Sequence, residues 1–437
     1  MDLVRTATAL FAGNSREFPV RLWEGSVLSP AKPAEKVGTL VLTTPRALYA
    51  LMPPVTELRV AEAYLDGDLE IEGDAVGLIE AAMRWEGPPA RAGLLAGLLQ
   101  LALRRALRRG DSEGIDARLS GRSHSVDRDR KAVQHHYDVS DDFYRLFLDR
   151  QMAYSCAYFA GGARTLEEAQ EAKLDLVCRK LSLSRGERLL DVGCGWGALI
   201  SHAVGRYGAS ALGITLSENQ LAEGRRRLAG LPGATVEAAD YRRLPANERF
   251  HKIASVGMME HVGRAHLGEY FRGLFRLLHP GGLLLNHAIA DISTDAPALR
   301  FTSRRGGGFI EKYIFPDGEL LPIATVLRTA ERAGFEVRDV ESLREHYADT
   351  CAAWVSRLEE NWAEAERLVG RRRARAYRLY LASSAAQFRV GRISVFQALL
   401  AKPAEKGRVR GVPRWRGEWY QPARAAEPVS GPRPTPP

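Results

Sequence analysis

The chain has 437 residues, 45% hydrophobic and 26% charged, a balance that suits a globular protein of about two to three domains. Its 62 Lys and Arg against 53 Asp and Glu leave a charge of +9, which favours an anionic partner such as a phospholipid surface, nucleic acid or a phosphorylated substrate. Four scattered cysteines (Cys156, Cys178, Cys194, Cys351) exclude a disulfide framework and a paired zinc site, and are read as reduced thiols.

The first twenty residues carry no apolar h-region followed by a small-residue cleavage site, so secretion is not expected. Up to about residue 86 the segments FPVRLW, VGTLVLTT and VTELRVAEAYLDGDLEIEG alternate partially between Pro and Gly, predicting short strands in a small α+β unit. Residues 90–110 form a Leu-rich helical run ending in Arg104, Arg105, Arg108 and Arg109. Such a basic amphipathic helix rests on anionic headgroups or packs on its own protein with a solvated end, and the two readings weigh about equally. Its apolar stretch, residues 92–103, falls short of the roughly 20 residues that span a bilayer. The unit is bounded at 1–110, followed by a polar, turn-rich linker at 111–130.

From 131 to 402 strand and helix patterns alternate. Strands are predicted at 188–192, 210–214, 234–238, 253–256 and 283–290, and helices at 165–181, 198–207, 218–228 and 267–278. Alternation of this kind predicts an α/β Rossmann-like fold, a mostly parallel twisted sheet with helices on both faces. Residues 403–437, rich in Arg and Pro, are predicted to be a disordered tail.

The segment LLDVGCGWG ends a buried strand at Asp191 and turns into a helix through Gly193, Gly195 and Gly197, where glycine lets a cofactor approach the backbone. A turn like this serves NAD or S-adenosylmethionine alike. A dinucleotide site wants an acid at the end of the second strand, but this one ends in GITLSENQ, with Thr215, Ser217 and Gln220. Asp240 and Tyr241 follow the third strand, a carboxylate for an adenine amine and a ring for its face. S-adenosylmethionine is the favoured cofactor.

Four further segments, VQHHYDVSDDFYRLFLDRQMAYSCAYF, SVGMMEHVG, FIEKYIFPDGELLP and LREHYADT, stand in order along the chain. With the glycine turn, this set resembles the cyclopropane-fatty-acyl-phospholipid synthase family, which includes the mycolic acid cyclopropane synthases, over roughly residues 133–400. The resemblance implies a class I methyltransferase domain that converts cis double bonds of phospholipid acyl chains into cyclopropanes, at the cytoplasmic face of the membrane as a peripheral protein. It implies that Tyr154 and Ser155 close over the methionine part of the cofactor, that 191–197 cradle it, that Thr215, Ser217 and Gln220 meet the ribose, and that Asp240 and Tyr241 meet the adenine. It also implies a bound bicarbonate held by Cys156, Glu260, His287, the backbone of Ile289, and Tyr347. Candidate rings to face a carbocation are Tyr137, Tyr313, Phe315 and Phe388.

Taken singly, Cys156 reads as a small buried apolar residue, His287 as a hydrogen-bonded core histidine and Tyr347 as a packed ring. Glu260 follows a buried strand at the carboxyl edge of the sheet, where α/β proteins place ligands. His135 and His136 lack a partner at metal-ligand spacing, so no metal is expected. Ser383 and Ser384 stand where many relatives carry a cysteine; transfer to an alkene needs no covalent enzyme intermediate, so no loss of activity is expected.

A methylene or methyl branch instead of a ring, and methylation of a small amine, stay open as alternatives. No nucleic-acid motif accompanies the arginines, and nucleic acid is not expected. The helix at 104–109 and the cluster at 371–378 are expected to dock the protein on anionic lipid. A homodimer is left open.

Overall fold

The computed structural model describes residues 3–85, 126–292 and 308–420, apart from 13, 14, 31, 33, 52–54, 138, 405, 406, 408 and 410. The basic helix at 90–110, residues 111–125 of the linker and 421–437 of the tail lie outside them. Among the described residues no helix is long and apolar enough to cross a membrane.

The N-terminal unit is a four-stranded sheet in the order β2-β1-β3-β4, formed by β1 (Val20–Arg21), β2 (Val27–Leu28), β3 (Thr39–Leu42) and β4 (Leu69–Glu72). The segment ELRVAEAYL, predicted extended, is the helix Glu57–Leu65. Thr56 caps it by accepting the Arg59 N–H, and buried Ala61, Tyr64 and Leu65 fall on one face at helical spacing, which overrides a weak alternation.

The catalytic unit is a seven-stranded sheet in the order β10-β11-β9-β8-β5-β6-β7. Its strands are β5 (Arg188–Val192), β6 (Ser210–Thr215), β7 (Ala234–Ala238), β8 (Phe250–Val256), β9 (Leu278–Asp291), β10 (Glu336–Ser342) and β11 (Ile393–Ala401). The five predicted strands are all present and run parallel; β10 and β11 complete one edge, and β11 alone runs against its neighbours. One face packs on the helices Leu166–Lys180 and Ala198–Tyr207, the other on Leu267–Leu277 and Ile323–Arg332. A capping box of Thr165 and Glu168 starts the first of these helices.

Three expectations about organisation are corrected. Residues 126–130 are not linker: they open the helix Val126–Tyr137, fastened by Arg128 to Asp317 and by Asp129 to Arg242 at 2.9 Å. The tail is ordered as far as residue 420, where buried Trp419 lies 6.0 Å from the Lys180 ammonium and Arg416 pairs with Asp339.

Three arginines of the helix Arg371–Arg389, Arg372, Arg375 and Arg378, are engaged in an internal seam rather than in a docking face. Arg375, 3% exposed, donates to the carbonyls of Tyr64 and Leu69 at 2.9 Å and to Glu70, while Arg378 donates to the Tyr64 hydroxyl and to Glu359. Arg372 pairs with Asp66. These cations seam the N-terminal unit to the catalytic unit, and Leu10, Phe18, Leu65, Phe143, Trp354 and Tyr377 belong to one continuous core across that seam. A charge count along the sequence could not tell a lipid partner from carboxylates about 300 residues away.

Candidate active site

The carboxyl ends of β5, β6 and β8 border a cleft, the place where open α/β sheets bind ligands. Tyr154, Ser155, Asp191, Gly193, Gly195, Thr215, Gln220, Asp240 and Tyr241 all line it, as the sequence predicts. Gly193 sits at φ +80°, and a Cβ there would lie 3.0 Å from the Met258 side chain, so both its conformation and its space demand glycine. Its N–H donates to the Ile214 carbonyl at 3.0 Å, which ties the turn to β6.

At the end of β6 the Thr215 hydroxyl donates to Gln220 Oε1 at 2.8 Å, presetting the two side chains. Ser217 and Gly197 do not line the cleft. The Ser217 hydroxyl oxygen accepts the Gln220 N–H and caps the helix Glu218–Leu228, and Gly197, at φ +86°, opens the helix Ala198–Tyr207. After β7, Asp240 accepts the Arg242 backbone N–H at 2.9 Å and pairs with its guanidinium at 2.6 Å; the same guanidinium reaches Asp129. An adenine amine would share a carboxylate already engaged by Arg242. Asp191 is buried at the floor, and burial pushes its carboxyl up to about 7 against the pull of nearby Lys173.

Sequence reasoning missed the clamp on the loop that carries Tyr154 and Ser155. Gln170 Nε2 donates to the carbonyls of Ala153 and Ser155 at 3.1 and 2.9 Å, and Lys173 Nζ donates to Ser155 Oγ at 2.8 Å. The signal was there: Gln170 and Lys173 fall at i, i+3 among the buried residues of an otherwise apolar helix face.

The second predicted set lies behind the cleft, joined to it by two short segments. In 154–156, Tyr154 and Ser155 face the cleft and Cys156 is buried beyond them; in 257–262, Gly257, Met258, His261 and Val262 line the cleft and Glu260 does not. Glu260 Oε1 accepts the Ile289 N–H at 2.8 Å, so that amide, expected to face an ion, serves the carboxylate instead. Glu260 Oε2 and His287 Nε2 are both buried with no hydrogen-bond partner among the described residues. Burial pushes the Glu260 carboxyl up to about 7 and the His287 imidazolium down to about 3. His287 is therefore neutral, and because Gln397 Nε2 donates to its Nδ1 at 3.2 Å, its one proton sits on Nε2. The Cys156 thiol is pushed up by burial, stays protonated, and lies 3.7 Å from the Leu343 carbonyl. Tyr347 stacks on Phe388 at 4.7 Å, and burial pushes its phenol up, with Glu260 near enough to add to the effect.

An aromatic cluster adjoins the cleft through Tyr137 and Tyr154. Tyr137, Tyr154, Phe315 and His136 form one cluster, with Tyr154 stacked on His136 at 5.7 Å and Phe315 3.9 Å from the same imidazole. His136 Nδ1 bonds the Ile314 carbonyl at 3.0 Å. Tyr313 lies elsewhere: its hydroxyl donates to Glu62 at 3.2 Å in the seam with the N-terminal unit, so it is not one of these rings. Among the described residues no group of His, Cys, Asp and Glu could hold a metal ion.

A sheet of this order, with its one reversed strand beside the edge and its cleft over the β5 and β6 turns, is that of the class I S-adenosylmethionine-dependent methyltransferases. The family model described as mycolic acid cyclopropane synthetase matches residues 124–398, and the chain belongs to that family. A probable fatty acid methyltransferase of Pseudomonas putida is 40% identical over 405 residues, 92% of this chain and 96% of its own length. The solved cyclopropane synthase MmaA2 of Mycobacterium tuberculosis has a TM-score of 0.60 at 38% identity, covering 62% of this chain and 98% of that one. Mycolic acid cyclopropane synthase CmaA1 complexed with SAH and CTAB has a TM-score of 0.59 at 37% identity, with the same coverage of each chain.

Proposed function

We propose that the protein transfers the methyl carbon of S-adenosylmethionine to a cis double bond in a fatty acyl chain of a phospholipid and closes a cyclopropane ring. The observation that carries this reading is that Glu260 Oε2 and His287 Nε2, on segments behind the cofactor cleft, are each buried with no hydrogen-bond partner among the described residues, while an aromatic cluster adjoins the cleft. Buried polar atoms are almost always satisfied, and a buried donor and acceptor left without partners call for a small polar guest.

The π electrons of the alkene attack the sulfonium methyl, and the carbon–sulfur bond breaks with its electrons passing to sulfur. The second alkene carbon becomes a cation, to which the faces of Tyr137 and Phe315 are matched. Loss of a proton from the transferred methyl then frees the C–H electron pair to close the ring. Bicarbonate fits the residues behind the cleft, and when bound it supplies the base for that proton. Here His287 Nε2–H offers a donor, Glu260 Oε2 an acceptor, and the neutral Cys156 thiol and Tyr347 hydroxyl lie close by. Burial keeps water out, which matters because a cation formed in water would be captured as an alcohol.

The relative that matches nearly the full chain, named a probable fatty acid methyltransferase, favours a second outcome: the same transfer ending in a methyl or methylene branch. The partner in either case is an anionic phospholipid surface approached peripherally from the cytoplasmic side. With Arg375 and Arg378 committed to the internal seam, that docking role falls to residues 90–110.

Incubation of the protein with S-adenosylmethionine and vesicles of cis-unsaturated phospholipid, followed by gas chromatography and mass spectrometry of the methyl esters, tests the reading. A product heavier by one methylene that resists mild hydrogenation is expected. The same mass taking up hydrogen establishes the branch, and absence of product from every unsaturated lipid overturns both.

A further inference from the structure

The cleft that receives the cofactor contains a charge the family motifs do not name. Lys173 is 3% exposed, lines the cleft, and makes one hydrogen bond among the described residues, to the neutral Ser155 hydroxyl at 2.8 Å. Among the described residues it has no carboxylate within ion-pairing distance. The nearest acids, Asp149 and Asp191, act on it only through space, and the Asp149 oxygens are already taken by the backbone N–H groups of Gln151 and Ala153. A buried ammonium so placed is costly unless an anion arrives. Burial holds its pKa down at about 8, so its charge is held weakly.

We propose that Lys173 is the residue that recognises the α-carboxylate of S-adenosylmethionine. The inference rests on the methyltransferase reading of the cleft and assigns one subsite within it. Arg242, the other strongly basic side chain on the lining, is already bound by Asp240 and Asp129 where the adenine is expected. Lys173 instead bonds Ser155, on the loop expected over the methionine, and feels the charge of Asp191 near the end of β5, which places it with the amino-acid end of the cofactor. Asp191 then offers a negative group for the α-ammonium beside it, and the pair matches the two charges of a zwitterion. Gln170, one helical turn before Lys173, binds the carbonyls on either side of Tyr154. The same helix therefore shapes the loop over the methionine and supplies its counter-charge.

The competing account makes Lys173 an internal counter-ion for Asp191 and Asp149, with no contact to ligand. Titration calorimetry of the full chain with S-adenosylmethionine and with its decarboxylated analogue separates the two. The wild-type protein is expected to prefer the carboxylate-bearing cofactor by about 10- to 100-fold, the worth of one charge-assisted hydrogen bond. Lys173→Met is expected to lose that preference by weakening only the carboxylate-bearing ligand, and Lys173→Arg to keep part of it. Equal weakening of both ligands by Lys173→Met overturns the assignment in favour of the counter-ion. So does equal affinity of the wild type for both, an arm that needs no variant to fold. A wild type that binds neither molecule defeats the methyltransferase reading itself.

Discussion

Glu260 binds the Ile289 N–H through Oε1 at 2.8 Å and keeps Oε2 buried without a partner among the described residues. One oxygen is thereby fixed to the backbone of β9, and the proposed reaction makes the other the acceptor of a proton. Burial pushes the carboxyl up to about 7, poised between acid and base near neutral pH.

Only the ionised carboxylate can accept a proton, so kcat at saturating cofactor is expected to rise with pH through about 7. Glu260→Gln keeps an acceptor for Ile289 but takes no proton, and is expected to lower kcat by about 100-fold or more and to remove the rise. His287, held neutral with its pKa near 3, adds no limb of its own. Initial rates of methylated lipid formation from about pH 6 to about pH 9 check this; a flat wild-type profile, or one that survives in Glu260→Gln, would remove Glu260 from proton transfer.

The same burial acts on stability with the opposite sign. Glu260 and Asp191, both near 7 when folded, hold protons more tightly in the native chain than in the unfolded one, where they titrate near 4. Their effect therefore favours the fold most below about pH 4 and is lost as pH rises toward 7. Glu260→Gln is expected to be more stable than the wild type at pH 8, on the order of 2 kcal/mol, and equal to it near pH 4. Urea midpoints at the two pH values measure it, and an equal gain at both would show that ionisation of Glu260 carries no such cost.

Much of this arrangement is legible in the sequence, for physical reasons. Strands such as β5 and β6 are buried on both faces and read as apolar runs ending in glycine or hydroxyl turns, so their positions and the cofactor residues on them follow from pattern. The edge strand β10, EVRDVES, is mostly polar and is held in the sheet by pairing with β11, which no local pattern reports. Glu260 and His287 are carried by the resemblance. That the Ile289 amide turns to Glu260, and that Gln397 sets the His287 tautomer, depends on backbone directions and on contacts across β9 and β11.

Gly193→Ala tests the turn at the cofactor floor. A side chain there meets Met258 at 3.0 Å and holds φ +80°, a conformation that costs an L-residue roughly 1–2 kcal/mol. The expected result is at least about 10-fold weaker binding of S-adenosylmethionine, because relief requires the turn to shift away from its bond to Ile214. Calorimetric affinity equal to the wild type would mean that the turn tolerates a side chain and does not approach the ligand.

Ser384, which the family resemblance matches to a cysteine, sits buried in the helix Arg371–Arg389. The proposed transfer passes through no enzyme-bound intermediate, so a thiol there has no bond to make. Ser384→Cys and Ser384→Ala are expected to keep kcat within about threefold of the wild type, since only one small buried atom changes. A gain or loss of about 100-fold in Ser384→Cys alone would reopen nucleophilic catalysis at this site.

Arg375 offers the sharpest test of how the two units are joined. Its guanidinium lies 4.0 Å from the centroid of the Tyr64 ring, donates to two carbonyls at the end of the helix Glu57–Leu65 and the start of β4, and pairs with Glu70. Arg375→Met keeps the length of the side chain but strands the carboxylate and both carbonyls, a change expected to destabilise by about 3 kcal/mol. Because the seam joins one continuous core, the loss is expected in the single unfolding transition of the whole chain, together with faster proteolysis of the N-terminal unit. An unchanged urea midpoint in Arg375→Met would return these arginines to the surface role that their sequence alone suggests.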